Sequence, residues 1–185
     1  LQVLRSNIVA VTSVARRFAD IQYQMHQKHA PSLPSVKQKL QSKISRASHL
    51  TDAQKQQIST YLATLPDGDV VCHGDLHPEN IIITPDGAKI IDWIDASCGH
   101  PAADVARSVI ILTIGDIPGS FWMRWLFAGL RSLFSYGYLK RYYARSTITR
   151  HDVAQWMVPV AAARLSEDIE PVEPLLRIIN RGLQA

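Results

Sequence analysis

Eight residues, His73-Gly74-Asp75-Leu76-His77-Pro78-Glu79-Asn80, lie between two short β-rich runs, Val70-Val71-Cys72 and Ile81-Ile82-Ile83. Strands on both sides hold such a loop at its ends, so its polar groups are presented at a fixed place. A third run, Ala88-Lys89-Ile90-Ile91, follows Thr84-Pro85-Asp86-Gly87, a turn of the Pro-Asp-Gly kind, and the runs flanking that turn read as a β-hairpin. Asp92 then stands at the end of a strand, with Asp75 and Asn80 on the loop that enters the hairpin.

The rest of the chain has helical period. Leu4, Ile8, Val11, Ala15, Phe18, Ile21 and Met25 form one face of a long helix that ends before Pro31. His26 and His29 near its end read as structural or solvated. Ser35 with Gln38 and Thr51 with Gln54 match the capping-box pattern and open two more helices. Pro101 starts a helix that runs to about Ile114, Thr149 starts another in which Pro159 predicts a kink, and Pro171 starts the last, through to Gly182. Between them, about Phe121 to Tyr143 reads as an aromatic helix whose stripe (Phe121, Trp122, Trp125, Leu126, Leu130, Leu133, Phe134) is assigned to the core. The expected fold is α+β and mostly helical, with a small hairpin carrying the loops that hold the polar residues. At 185 residues it amounts to one domain or one lobe of a larger one.

The net charge of +4 is unevenly spread: eight of the 16 acidic residues fall between Asp67 and Asp104, where Lys89 is the lone base. Carboxylates gathered beside small turns suit a divalent cation and repel nucleic-acid phosphates, so no nucleic-acid partner is expected. No apolar run reaches the roughly 18 residues of a membrane helix, and no signal peptide is visible. Two cysteines, Cys72 and Cys98, make no disulfide framework, which points to a reducing compartment, the cytoplasm. Cys72, His73, His77, Cys98 and His100 are zinc-ligand types, but their spacing matches no compact zinc pattern. The oligomeric state stays open.

The spacing from Asp75 to Asn80 is that of a kinase catalytic loop, His-Arg-Asp-Leu-x-x-x-Asn, with Gly74 in the Arg position. Phosphoryl transfer needs a hydroxyl held in line, a carboxylate to take its proton, and Mg²⁺ to neutralise the phosphates. Asp75 is the candidate base, Asn80 and Asp92 the candidate Mg²⁺ ligands, and His73 is expected to pack beneath the turn and bond backbone. Only eight residues separate Asp92 from Pro101 and no Ala-Pro-Glu follows, so a protein-kinase activation segment does not fit and a small-molecule acceptor is favoured. An inactive kinase-like binding or scaffold module is the alternative, since fold does not fix function.

The stretch from His73 to Ala106 resembles the aminoglycoside phosphotransferase family of protein-kinase-like small-molecule kinases, over about 35 residues, and the flanking helices are similar to that family's C-terminal lobe. The resemblance implies ATP and Mg²⁺ as cofactors and a small-molecule hydroxyl as acceptor: an aminoglycoside, another sugar, a choline-like alcohol or an amino-acid alcohol. It implies Asp75 as catalytic base, Asn80 and Asp92 as metal ligands, and Asp104 as a buried aspartate bracing the catalytic loop through backbone hydrogen bonds. It also sets Arg164 to Asp168 where such enzymes line the acceptor cleft, with Glu167 and Asp168 as candidate substrate contacts. The family's N-terminal lobe has no counterpart here: no two glycines fall as Gly-x-Gly, and the 72 residues before His73 read as helix and contain no Glu. The expectation is therefore a C-terminal catalytic lobe over residues 1–185, without the nucleotide-binding lobe, that binds ATP weakly and turns over little by itself.

Overall fold

Residues 150–164 carry apolar side chains around the whole helical circumference, and such a helix has to be covered on every side. The computed structural model, which describes residues 2–114, 121–167 and 170–184 and the side chains among them except those of 2–9 and 121–124, shows how this is done. That helix, α6 (Arg150–Arg164), is surrounded by α2 (Val36–Arg46), α3 (Asp52–Thr64), α4 (Pro101–Thr113) and α7 (Glu173–Gln184). Trp156, Val160 and Ala161 to Ala163 are buried in it. A second layer pairs α1 (Gln2–Met25) along α5 (Phe121–Arg145), with Phe18 packed edge-on against Tyr138. The chain is thus mostly helical, with small antiparallel sheets.

The hairpin forms as the turn demands: β2 (Ile81–Thr84) pairs antiparallel with β3 (Gly87–Ile90), Ile81 opposite Ile90. A second pair was not read from the sequence. β1 (Val70–Cys72) pairs antiparallel with β4 (Ser97–Gly99), Val71 opposite Cys98. Three residues after an irregular acidic stretch have no period to recognise, and their partner lies 27 positions away.

Three local expectations differ from what forms. Ser35 precedes α2 in extended backbone, but its side chain makes no capping bond, whereas Thr51 and Gln54 form the full reciprocal box at α3. Thr149 with Asp152 makes another at α6. No described member of the α5 stripe is fully buried: Trp125 is 67% exposed and Leu126 59%, and Leu130, Leu133 and Phe134 are half-buried, while the buried aromatics of this helix are Tyr138 and Tyr142, further along it and outside the stripe. A 25-residue helix is about 37 Å long, and it outruns the partners that cover it. Phe121 and Trp122 of that stripe lie outside the described side chains, as do the turn residues 115–119. Gly182 lies within α7 and does not stop it. A Cβ there would fall 2.2 Å from Val158 Cγ2, so the glycine lets α7 approach α6.

Candidate active site

The loop from His73 to Asn80 is laced to the acidic segment by backbone bonds. Asn80 N–H closes a short 3-10 turn onto the His77 carbonyl (3.0 Å), and Ile91 N–H donates to the Asn80 carbonyl (3.0 Å). His73 lies beneath, fully buried. Its Nδ1 accepts from Asp75 N–H (3.2 Å) and its Nε2 donates to the Ile91 carbonyl (2.9 Å). These two partners select the tautomer with the proton on Nε2. His73 therefore ties the start of the loop to the residue before Asp92.

Gly74 adopts φ +82°, and a Cβ there would lie 2.6 Å from the Asp95 carbonyl oxygen. Both facts restrict the position to glycine and account for its place in the Arg slot of the spacing. Asp92 also has positive φ, +63°, a conformation in which Asp and Asn are enriched among side-chain-bearing residues. Its carboxylate lies in an exposed segment.

Asn80 is buried, and its Nδ2 donates to the Asp75 carbonyl (2.9 Å). With the nitrogen committed to the loop, the side-chain oxygen is the atom left to bind a cation. Asp92 stands one residue past the backbone bond between Asn80 and Ile91. An amide oxygen and a carboxylate from adjoining segments suit Mg²⁺, which takes one or two protein carboxylates together with substrate phosphates, and does not need a closed protein cage. Among the described residues no three His, Cys, Asp or Glu side chains converge on one point.

Asp104 is buried from solvent on the inner side of the loop. It accepts from Gly74 N–H (2.6 Å), from Gln22 Nε2 (2.8 Å) and from His26 Nε2 (3.0 Å). Burial by itself raises its pKa. The His26, Gly74 and Gln22 bonds outweigh that and bring it below the usual carboxylate value. The network continues: Tyr142 meets His26 Nδ1 (2.6 Å), Tyr138 donates to Gln22 Oε1, and Ser108 Oγ donates to the Leu76 carbonyl (2.9 Å). Three helices and the loop are joined without water-facing groups.

The outer side is ionic. Arg107, one turn after Asp104, is also buried; its Nε donates to the Gly74 carbonyl (2.9 Å) and its Nη2 to Asp75 Oδ1 (3.1 Å) and Glu167 Oε2 (2.8 Å). Arg164 Nη1 bonds the same Glu167 oxygen at 2.8 Å and stands 3.7 Å from Asp75 Oδ1. Lys43 bonds Glu167 Oε1 (2.9 Å) and Asp95 (3.1 Å). Burial raises the Glu167 carboxyl, but the Arg107 and Lys43 charges lower it to a net value below normal. Glu167 thus shares Arg107 and Arg164 with Asp75 and Lys43 with Asp95, while Asp168 lies outside the described residues.

His26 takes the structural one of the two readings given to it from the sequence, whereas Gln22 was missed. Gln22 follows Ile21 on α1, four residues before His26, and a polar residue beside a core face signals a buried bond. Arg107 was similarly legible as a lone cation amid Val105, Ala106, Val109 and Ile110. Lys43 carried no signal.

The sequence model of the phosphotransferase enzyme family matches residues 12–148. No curated protein matches the chain. Among solved structures, the choline kinase LicA from Streptococcus pneumoniae is similar at 16% identity with a TM-score of 0.54. The match covers 96% of this chain and 64% of that one, so the chain spans under two thirds of its neighbour's length. At this identity the likeness is one of fold.

Proposed function

The chain belongs to the phosphotransferase enzyme family, and from that premise we propose that it is the helical lobe of an ATP- and Mg²⁺-dependent kinase acting on a small-molecule hydroxyl. The reading is carried by the lacing of Asp75, Asn80 and the Ile91–Asp92 segment into one hydrogen-bonded unit through His73 and the Asn80 carbonyl. Asp75 takes the proton of the acceptor hydroxyl as its oxygen attacks the terminal phosphorus of the triphosphate. Asn80 and Asp92 hold Mg²⁺, which neutralises phosphate charge when bound. His73 and Asp104 keep the loop in place, and Glu167 borders the acceptor.

The same reading assigns residues 1–185 to the C-terminal lobe and leaves the nucleotide-covering lobe to residues outside it. Support comes from the hairpin and the loop after it: Ile82 (48% exposed), Ile83 (57%), Trp93 (41%) and Ile94 (87%) present apolar surface beside Asp92. Ile81 and Ile90 at the base of the hairpin pack on the core, but Ile82 and Ile83, on opposite faces of their strand, stay exposed. A covering lobe would shield both.

One observation favours the inactive-module alternative: Asp75 Oδ1 is already paired with Arg107. ADP release by the full-length protein with Mg·ATP and a panel of aminoglycosides, sugars and amino alcohols separates the two. The kinase reading expects acceptor-dependent release that drops by about 10²–10⁴-fold in Asp75→Asn. It expects an equally inactive Asp92→Asn with stability within about 0.5 kcal/mol, because Asn tolerates the same positive φ. Absence of both release and nucleotide binding would leave the binding module.

A further inference from the structure

Among the described residues, one edge of the Arg164 guanidinium carries no partner. Its Nη1 is engaged by Glu167, but among the described residues neither Nε nor Nη2 has a hydrogen-bond partner. The side chain is only 15% exposed and stands 3.7 Å from Asp75. The Nε/Nη2 edge is the one that grips a carboxylate or phosphate with two parallel bonds. Arg141 shows this edge filled, its Nε and Nη2 holding the two oxygens of Asp20 at 2.9 and 3.1 Å.

The surrounding charges have the same sign preference. Among the described residues, Lys39, Lys43, Arg107 and Arg164 stand around Asp75, Asp95 and Glu167. Each of those carboxylates is held by at least one of the cations, so none is left over for an ammonium group. Arg107 and Arg164 share a single oxygen of Glu167, and burial with the Arg107 charge pulls the Arg164 guanidinium below its usual pKa. A second anion at this point relieves the crowding of like charges.

We propose that the phosphate acceptor is itself an anion: a small hydroxyl compound bearing a carboxylate or phosphate that docks on the Nε/Nη2 edge of Arg164 while its hydroxyl meets Asp75. The inference rests on the kinase reading above. In the step, the acceptor oxygen forms a bond to the terminal phosphorus of a nucleoside triphosphate, the bond to the bridging oxygen of the diphosphate breaks, and the proton passes to Asp75 and then to solvent.

The test is ADP release by the full-length protein with matched acceptors: hydroxy acids beside their amides, sugar phosphates beside the free sugars, and amino alcohols with aminoglycosides. Anionic acceptors are expected to exceed their uncharged partners in kcat/KM by about ten- to a hundredfold, the worth of one or two charge-assisted bonds. Arg164→Met should shrink that ratio to about threefold or less, mainly through KM, and Arg164→Lys should recover part of it, because a point charge lacks the fork. Thermal melts of both variants check that they fold. The carboxylate and phosphate arms show which anion fits. A preference for cationic or uncharged acceptors, or an anion preference that survives Arg164→Met, overturns the inference while leaving the kinase reading intact. No release above the Asp75→Asn background with any acceptor overturns both.

Discussion

The two sides of the loop from His73 to Asn80 are held by different kinds of polar contact. On the inner side one carboxylate, Asp104, is wrapped by Gly74, Gln22 and His26 and buried under α1, α4 and α5. On the outer side Asp75 and Glu167, with side chains 31% and 21% exposed, share Arg107 and Arg164. A dry, fully bonded network has no cheaper arrangement to exchange into, so it sets the loop's position. A partly hydrated ion cluster can trade one partner for another of like charge. The inner side therefore suits positioning, and the outer side suits a ligand that comes and goes.

The largest effect should come from Asp104→Ala. It strands the Gly74 N–H, the Gln22 amide and the His26 ring N–H in the interior, and each buried donor left without an acceptor costs about 1–3 kcal/mol, about 3–5 kcal/mol together. Urea unfolding reads this directly, and a loss under 1 kcal/mol would erase the distinction between the two sides. Arg107→Met follows at about 3 kcal/mol, the low end because Asp75 is partly hydrated, with activity falling too as Gly74 and Asp75 lose their tether.

Arg164→Met should destabilise by only about 1.5 kcal/mol, the worth of one hydrogen bond to a charged group. If it destabilises as much as Asp104→Ala, the outer cluster is structural and not exchangeable. Tyr142→Phe removes one bond to His26 and should cost about 1 kcal/mol.

Acidification distinguishes the sides by the same logic. Asp104 and Glu167 both have folded-state pKa values below normal. Such groups contribute stability that is complete above the unfolded carboxylate value, near 4, and is lost as pH falls through the depressed folded value. The wild-type protein should lose stability below about pH 4, and Asp104→Asn should flatten that limb more than Glu167→Gln, because Asp104 is the drier group.

Much of the architecture was legible in the chain. The helical stripes of α1 to α4, the Thr51 box and the hairpin at Pro85-Asp86-Gly87 are local, set by period and turn chemistry within a dozen residues. So was the place of the block from His73 to Asn80, between the end of β1 and the start of β2. What escaped was non-local. β4 is too short to show a period, and the exposed start of α5 looks apolar because its residues are; neither its pairing nor its cover is written nearby.

By itself the sequence determined the loop's residues and the hairpin, whereas the lack of room for a side chain at Gly74 comes from its approach to Asp95 in the fold. Only the tertiary structure decided which cation meets which carboxylate. Gln22 reaches Asp104 across 82 positions, Arg107 reaches Glu167 across 60, and Lys43 reaches Glu167 across 124. Hydrogen bonds and ion pairs act over a few ångströms of space, and separation along the chain carries no trace of them until the helices pack.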